Sequence, residues 1–418
     1  MNFIEMYAKL ERLTQAGGPA PTLLGIGPMS PAVLRASFEL AREKDFPLMF
    51  IASRNQIDSK EFGGGYVGGW DQTAFCDFIG GMAKETEFDG LYYICRDHGG
   101  PWQRDEEKKA ALPEAEAMKR GIRSYLADLE AGFDLLHIDP TKDPHATGTV
   151  PMDTVLRRTV ELIERIEAVR TAKKLPPIGY EVGTEETNGG LTGHEAFAEF
   201  IVRLHAILDQ SKLPRPQFIV GQTGTLVRMT ENVGHFSRDN AGELAKIALQ
   251  HKVGLKEHNS DYLTDAQLLM HPALRVTASN VAPEFGVVET DSYLGLAAIE
   301  QAEAATGHVA QPSNFINAIE AEAVGSGRWR KWMVGEAAKT GAEEVLRDKA
   351  LTQHIVRISG HYTFDIPAVK TELDKMMANL TSLGVPAQRY VVGNIKRAID
   401  RYVVNYGLEG LTGKLRNM

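Results

Sequence analysis

A chain of 418 residues that is 43% hydrophobic and 24% charged can bury a large core, and it accommodates one big domain with an extension or two domains. Its formal net charge of −9 excludes a general nucleic-acid surface, which needs Lys and Arg in excess, although a local basic patch can still hold phosphate groups. The two cysteines, Cys76 and Cys95, exclude a disulfide framework and a cysteine-based zinc site and fit a reducing cytoplasm. No stretch reads as a signal peptide or is long and apolar enough to span a bilayer, so a cytoplasmic protein without a membrane partner is expected.

Residues 1–16 carry helical periodicity, and a breaker cluster follows at 17–21. TLLGIG (22–27) reads as a short buried strand. Ser30 and Pro31 then open a helix, a capping side chain before a proline at the first turn. PLMFIAS (47–53) is the next strand. The glycine-rich stretch from Ser53 to Trp70 satisfies GxGxxG at Gly63, Gly65 and Gly68, but about ten residues separate it from its strand, whereas a dinucleotide fingerprint follows its strand directly. It is better read as a lid or a substrate-contacting loop.

LYYICRDHGGPWQ (91–103) is a run of β-forming residues that ends in Asp97 and His98 and breaks at Gly99, Gly100 and Pro101. LLHIDP (135–140), PIGYEVG (177–183), PQFIVGQT (216–223), VGLKEHN (253–259) and ALRVTAS (273–279) continue the series, with amphipathic helical patterns between them. Eight short apolar strands alternating with helices predict an α/β fold, the (β/α)8 TIM barrel, ahead of an open doubly wound sheet. From Tyr293 onward helical patterns dominate. The expected organisation is a barrel with its N-terminal helix over 1–292 and a helical C-terminal extension over 293–418 packed on it. RWRKWM (328–333) reads as a helix face or a subunit contact, and a homo-oligomer is open.

Catalytic groups of such a barrel come from the C-terminal ends of different strands. Those ends offer Asp97 and His98, His137 and Asp139, Glu181 and Glu185, Gln222 and Thr223, His258 with Asn259 and Asp261, and Ser279 and Asn280. Core packing does not explain this ring, because buried polar groups are costly without partners. A divalent ion is the simplest shared partner. His98, Glu181 and His258 offer two imidazoles and a carboxylate, which suit zinc or manganese. His137 and Asp139 share a face by the strand period, so both reach inward. His145, His194, His205, His235 and His271 sit in loops or helices and receive no chemistry, and Asp143 and Asp153 read as turn or cap residues. GQTGTLV (221–227) and ASN (278–280) place hydroxyls and backbone NH groups where barrel loops commonly bind phosphate, and there is no Walker A sequence.

In order, SRNQ with GGGYVGG, RDHGGPW, LLHIDPT, YEVGTEE, VGQTGT and LKEHNSDYL resemble the Z-type subunit of class II D-tagatose-1,6-bisphosphate aldolase from about residue 20 to 290, with a looser echo in RISGHYTF (357–364). The resemblance implies a TIM barrel in ketohexose phosphate catabolism. It implies either a non-catalytic subunit supporting a separate catalytic aldolase or, as in some relatives, a ketose or ketose-phosphate 4-epimerase; others carry a tagatose-6-phosphate kinase label, which these residues support poorly. Class II aldolases pair a proton-carrying aspartate with a zinc-bound histidine. Asp97 and His98 match that pair and His258 matches the last ligand, whereas Gln222 stands where the sixth-strand histidine is expected and leaves Glu181 as the substitute ligand.

The expectation is therefore a metal-dependent C4 epimerisation of a ketose or its phosphate by retro-aldol cleavage and re-addition, with Asp97, Glu185 and Asp139 as catalytic carboxylates. Gln222, Thr223, Thr225, Asn259, Asp261, Ser279 and Asn280 are expected to bind substrate, with Thr223, Thr225, Ser279 and Asn280 on the phosphate. Asn55, Gln56 and the 63–69 loop are expected to close over the sugar.

Overall fold

The computed structural model describes residues 1–15, 20–186 and 188–418, so the breaker cluster expected at 17–21 lies in part outside the described residues. Eight parallel strands close into a barrel in sequence order: β1 (Leu23–Ile26), β2 (Leu48–Ser53), β3 (Tyr92–Gly99), β4 (Leu135–Ile138), β5 (Gly179–Gly183), β6 (Phe218–Val220), β7 (Gly254–Glu257) and β8 (Ala278–Val281). Pairing of β1 with β8, Leu23 opposite Ala278, closes the ring and excludes the open sheet. The strands are short and buried on both faces, which is why they read as continuous apolar runs rather than alternating ones.

Local chemistry starts the helices where the sequence indicates. Ser30 accepts the Val33 amide at 3.1 Å and Pro31 takes the first turn of Pro31–Lys44. The N-terminal helix Phe3–Gln15 plugs the lower end of the barrel, with Phe3 edge-on to Tyr93 and Tyr7 edge-on to Phe218. The last strand begins later than expected. Ala273 and Leu274 extend the helix Asp265–Leu274 through Pro272, Arg275 ends it in the left-handed region at φ 62°, and β8 starts at Ala278. Asn280 therefore lies within the strand.

The C-terminal part does more than rest on the barrel. A boundary at 292 falls inside the helix Pro283–Ala305, and the wall position between Asp265–Leu274 and Pro31–Lys44 is filled by the helix Ala387–Asn405. Arg401 Nε bonds Asp265 at 2.7 Å on one side and Lys396 Nζ bonds Glu43 at 2.5 Å on the other. Tyr406 Oη lies 2.9 Å from Ser279 Oγ on β8, and its carbonyl accepts the Thr22 amide at 3.1 Å. The eighth helix of the barrel thus comes from the end of the chain.

A small second core of Val324, Trp329, Met333, Val345, Ile355 and Ile358 stands over the upper end of the barrel. A hairpin, Val227–Arg228 with Glu231–Asn232, follows β6 and joins it: Met229 packs on this core and donates its amide to the Trp332 carbonyl at 2.8 Å. The glycine-rich loop is tied in by a 2.7 Å bond from the Gly68 amide to Asp365. No helix among the described residues is long and apolar enough to cross a membrane.

Candidate metal centre at the barrel mouth

Strand alternation alone would send Asp97 and His98 to opposite faces of β3. The register against β4 shifts between Arg96 and Gly99, and His98 adopts a φ of 42°, so both side chains enter the mouth. A non-glycine residue held there costs on the order of 1–3 kcal/mol and persists only where its surroundings enforce it. The enforcing contacts are specific. The His98 amide donates to His137 Nδ1 at 3.1 Å and His98 Nδ1 donates to Asp139 at 2.6 Å. His137 and Asp139, two residues apart on and just after β4, share the inner face as the strand period requires.

A second imidazole is fixed in the same manner from the opposite wall. His258, just after β7, donates Nε2–H to Glu181 Oε1 at 2.9 Å. Each ring thus gives one nitrogen to a carboxylate and turns the other inward. Those two nitrogens, His98 Nε2 and His258 Nδ1, face each other at 3.2 Å. A proton on either nitrogen makes this contact a hydrogen bond, and, against burial, Asp97 and Asp139 raise the pKa of His98; a tetrahedral ion with 2.0–2.1 Å bonds would span a similar distance of roughly 3.3 Å.

His137 completes a triangle of imidazoles, with ring centroids 5.2 Å from His98, 5.1 Å from His258 and 4.8 Å between those two. Ligand atoms of Asp97, His98, His137 and His258 gather within 4.8 Å of one another, a group able to hold a metal ion. Burial opposes ionisation of Asp97, yet the His98, His137 and His258 rings hold its carboxyl well below the usual range. Burial likewise pushes His258 down, against the pull of Glu181 and Asp97. Asn280 Nδ2 donates to Asp97 Oδ1 at 3.0 Å. Gly25 on β1 makes room for it, since a Cβ there would fall 2.2 Å from Asn280 Oδ1.

Glu181 lies one step lower, inside the barrel. Its Oε2 accepts from Lys256 Nζ at 2.5 Å and its Oε1 from His258, so both oxygens are engaged beneath the imidazoles. Burial would raise its pKa, but Lys256, His137 and His258 bring it down to about 2.

Above these groups opens a cavity of about 450 Å³, lined by Asn55, Gln56, Asp97, His98, Asp139, His258, Asn259, Asp261 and Asn280 among the residues expected there. Gln222, Thr223, Thr225, Glu185 and Ser279 are not on its wall. Glu185 accepts from Thr192 Oγ1 at 2.6 Å, Gln222 Oε1 accepts the Asn188 amide at 2.7 Å and Thr225 Oγ1 donates to the His258 carbonyl at 2.8 Å. Thr223 donates to the Glu257 carboxylate, and Ser279 bonds Ser260 and Tyr406. Hydroxyls already donated to a buried carboxylate network are unavailable to phosphate, and Glu257 beside Thr223 repels an anion. His271, one of the residues assigned no chemistry, holds that Glu257 at 2.7 Å.

Sequence reasoning passed over Lys256 and Arg228 and read RWRKWM (328–333) as a helix face or a subunit contact, whereas Arg228, Lys331 and Trp332 line the cavity. A lysine inside the short buried strand GLKE was a readable signal for the first. The basic and aromatic mixture of RWRKWM was the signal for Lys331 and Trp332, while none marks Arg228, which reaches the mouth only through the packing of the hairpin on the extension.

The chain matches the family described as D-tagatose-1,6-bisphosphate aldolase subunit GatZ/KbaZ-like over residues 13–393. It is similar to a protein of Klebsiella oxytoca named D-tagatose-1,6-bisphosphate aldolase subunit GatZ, 30% identical over a stretch spanning 37% of this chain and 35% of that protein. The protein of the same name in Salmonella typhimurium is 23% identical over 85% of this chain and 83% of its own length. Among solved structures, a probable tagatose 6 phosphate kinase from Sinorhizobium meliloti superposes with a TM-score of 0.76 at 22% identity, covering 92% of this chain and 100% of that one. A fructose-bisphosphate aldolase from Campylobacter jejuni superposes at 0.57 and 11% identity, covering 97% and 94%. At these identities the two structures bear on the fold alone.

Proposed function

Because the chain belongs to the D-tagatose-1,6-bisphosphate aldolase subunit GatZ/KbaZ-like family, we propose that its barrel mouth is a working site that inverts C4 of a 2-ketose or ketose phosphate of the tagatose and fructose type. The observation that carries this reading is the pair of carboxylate-fixed imidazoles whose free nitrogens meet at 3.2 Å. A surface retained only for docking a partner has no need of that preorganisation.

The donor set fits a divalent ion such as zinc or manganese held by His98 and His258, beside the His137 ring, whose Nδ1 accepts the His98 amide. On this reading His137 holds the His98 backbone in place, and Glu181 orients His258 instead of ligating. The ion, when bound, supplies polarisation of the C2 carbonyl. Asp97 carries the proton: Asn280 occupies Oδ1, and Oδ2 is available to the C4 hydroxyl. As Asp97 takes that proton the C3–C4 bond breaks and its electron pair passes to the C2 carbonyl, leaving an enediolate fragment and an aldehyde. The aldehyde turns its other face, the pair returns to re-form C3–C4, and Asp97 gives the proton back to the C4 oxygen. Asp139 acts through His98 as a positioning residue, and Glu185 stays with Thr192 away from the cavity.

The test combines metal analysis of the purified protein with incubation on fructose 6-phosphate and tagatose 6-phosphate, in wild type and Asp97→Asn. Interconversion that needs a bound divalent ion and falls about 10²- to 10⁴-fold in Asp97→Asn is expected. No interconversion with any added metal sinks the proposal. A second reading, favoured by the word subunit in the names of the relatives, is support of a separate catalytic aldolase; full stimulation of such a partner by a His98→Ala variant would favour it.

A further inference from the structure

We propose that the wall built by the hairpin after β6 and residues 328–333 of the C-terminal extension is the subsite for the phosphoryl group of the substrate, with Arg228 and Lys331 as its cations. The inference rests on the ketose-phosphate reading above and places the anion on Arg228 and Lys331 instead of on the hydroxyls of Thr223, Thr225 and Ser279.

Arg228, Lys331 and Trp332 line the same cavity as Asp97, His98 and His258. Most of the other charges there have partners. Lys108 pairs with Glu186 at 3.1 Å, whereas Lys142 has no ion pair among the described residues and is pushed down by burial, against the pull of Asp139 and Glu186. Asp97 and Asp139 face imidazoles, and Asp261 accepts the amides of Ala282 at 3.0 Å and Glu284 at 2.8 Å. Among the described residues, neither Arg228 nor Lys331 has a carboxylate within ion-pairing distance; Arg228 Nη1 donates only to the adjacent Val227 carbonyl.

These cations are held in place without being neutralised. The Met229 amide on the Trp332 carbonyl fixes the hairpin to the extension, and Trp332 Nε1 donates to Tyr362 Oη at 3.0 Å. Lys331 lies over the Trp332 and Tyr362 rings at 5.1 and 5.5 Å, and behind it Arg328 lies 5.0 Å from the Tyr66 ring with a buried Nη1 that lacks a hydrogen-bond partner among the described residues. Aromatic faces steady a cation and leave its charge uncompensated. His361 reports that field: both ring nitrogens are buried without partners, and burial, then Lys331 and Arg328, push it down to about 3. A doubly charged oxyanion is the ligand chemistry that this wall complements, and a guanidinium with an ammonium is a common phosphate pair.

The test titrates inorganic phosphate into the full chain by calorimetry and compares KM for a ketohexose and its 6-phosphate, in wild type, in the double variant Arg228→Gln with Lys331→Gln, and in Arg228→Lys with Lys331→Arg. The neutral double variant is expected to lose about ten- to a hundredfold in phosphate affinity and to raise KM for the phosphorylated sugar alone, while the charge-conserving variant retains most of both. Unchanged phosphate affinity in the neutral variant, or no phosphate binding by wild type, overturns the proposal. Phosphate binding needs no turnover. A chain that binds phosphate through these residues yet interconverts no ketose therefore removes the epimerase reading and leaves the subsite standing, and an epimerase whose KM ignores both substitutions does the reverse.

Discussion

The ends of β3 and β7 and the end of β6 carry equally polar residues, yet they are built for different purposes. After β6, Gln222, Thr223 and Thr225 each have a partner inside the protein, and Glu257 below them collects Thr223, Ser260 and His271. At β3 and β7, each imidazole uses one nitrogen on a carboxylate and leaves the other aimed at its neighbour across 3.2 Å. Polarity at a strand end is common to both regions. What distinguishes a site is bonding capacity that the fold orients and does not consume.

Substitutions can break this contrast. The largest effect is expected from His258→Ala, which removes one of the two facing nitrogens: affinity for zinc, followed by chelator competition, should fall by at least about a hundredfold, while the fold survives by circular dichroism. Unchanged metal affinity would show that the pair does not hold an ion. Next comes Lys256→Met, which leaves Glu181 buried without its cation and should cost about 3–5 kcal/mol in denaturant unfolding. The pH dependence follows from the same pair. Glu181 is held at about 2 against its ordinary 4.5, so its contribution to stability is fully present above pH 4.5 and is lost as the pH falls towards 2. Acid unfolding of the wild type should steepen in that window, and a flat profile there would contradict the ion pair. Thr223→Val is expected to be the mildest, about 1–3 kcal/mol of stability through one unsatisfied carboxylate oxygen, with KM and turnover unchanged. A selective loss of turnover would return β6 to the site.

The placement of the C-terminal part sharpens the comparison further. The helix Ala387–Asn405 fills the eighth wall position, and residues 328–333 stand over the mouth, so the same extension completes the barrel on its flank and furnishes part of its cavity. Tyr402 and Tyr406 carry that link in hydrogen bonds, from Tyr402 Oη to the Ser260 carbonyl at 3.3 Å and from Tyr406 to Ser279.

Much of this was legible in the amino-acid order. Eight apolar runs separated by amphipathic helices specify the barrel, because each run is buried on both faces and each helix on one, and the polar ends of those runs pointed to Asp97, His98, His137, Asp139 and His258. Local rules also set the helix starts, as at Ser30 and Pro31. What the tertiary structure decided is which polar groups remain available. The bulge and the positive φ at His98 turn two successive side chains into one mouth, Lys256 draws Glu181 below the imidazoles, and a serine–tyrosine contact withdraws Ser279 from it. Arg228 and Lys331, more than a hundred residues apart, meet at the cavity only because the hairpin and the extension share a core. Periodicity is a property of neighbours along the chain; hydrogen-bond capacity is distributed among neighbours in space, and only the closed fold settles it.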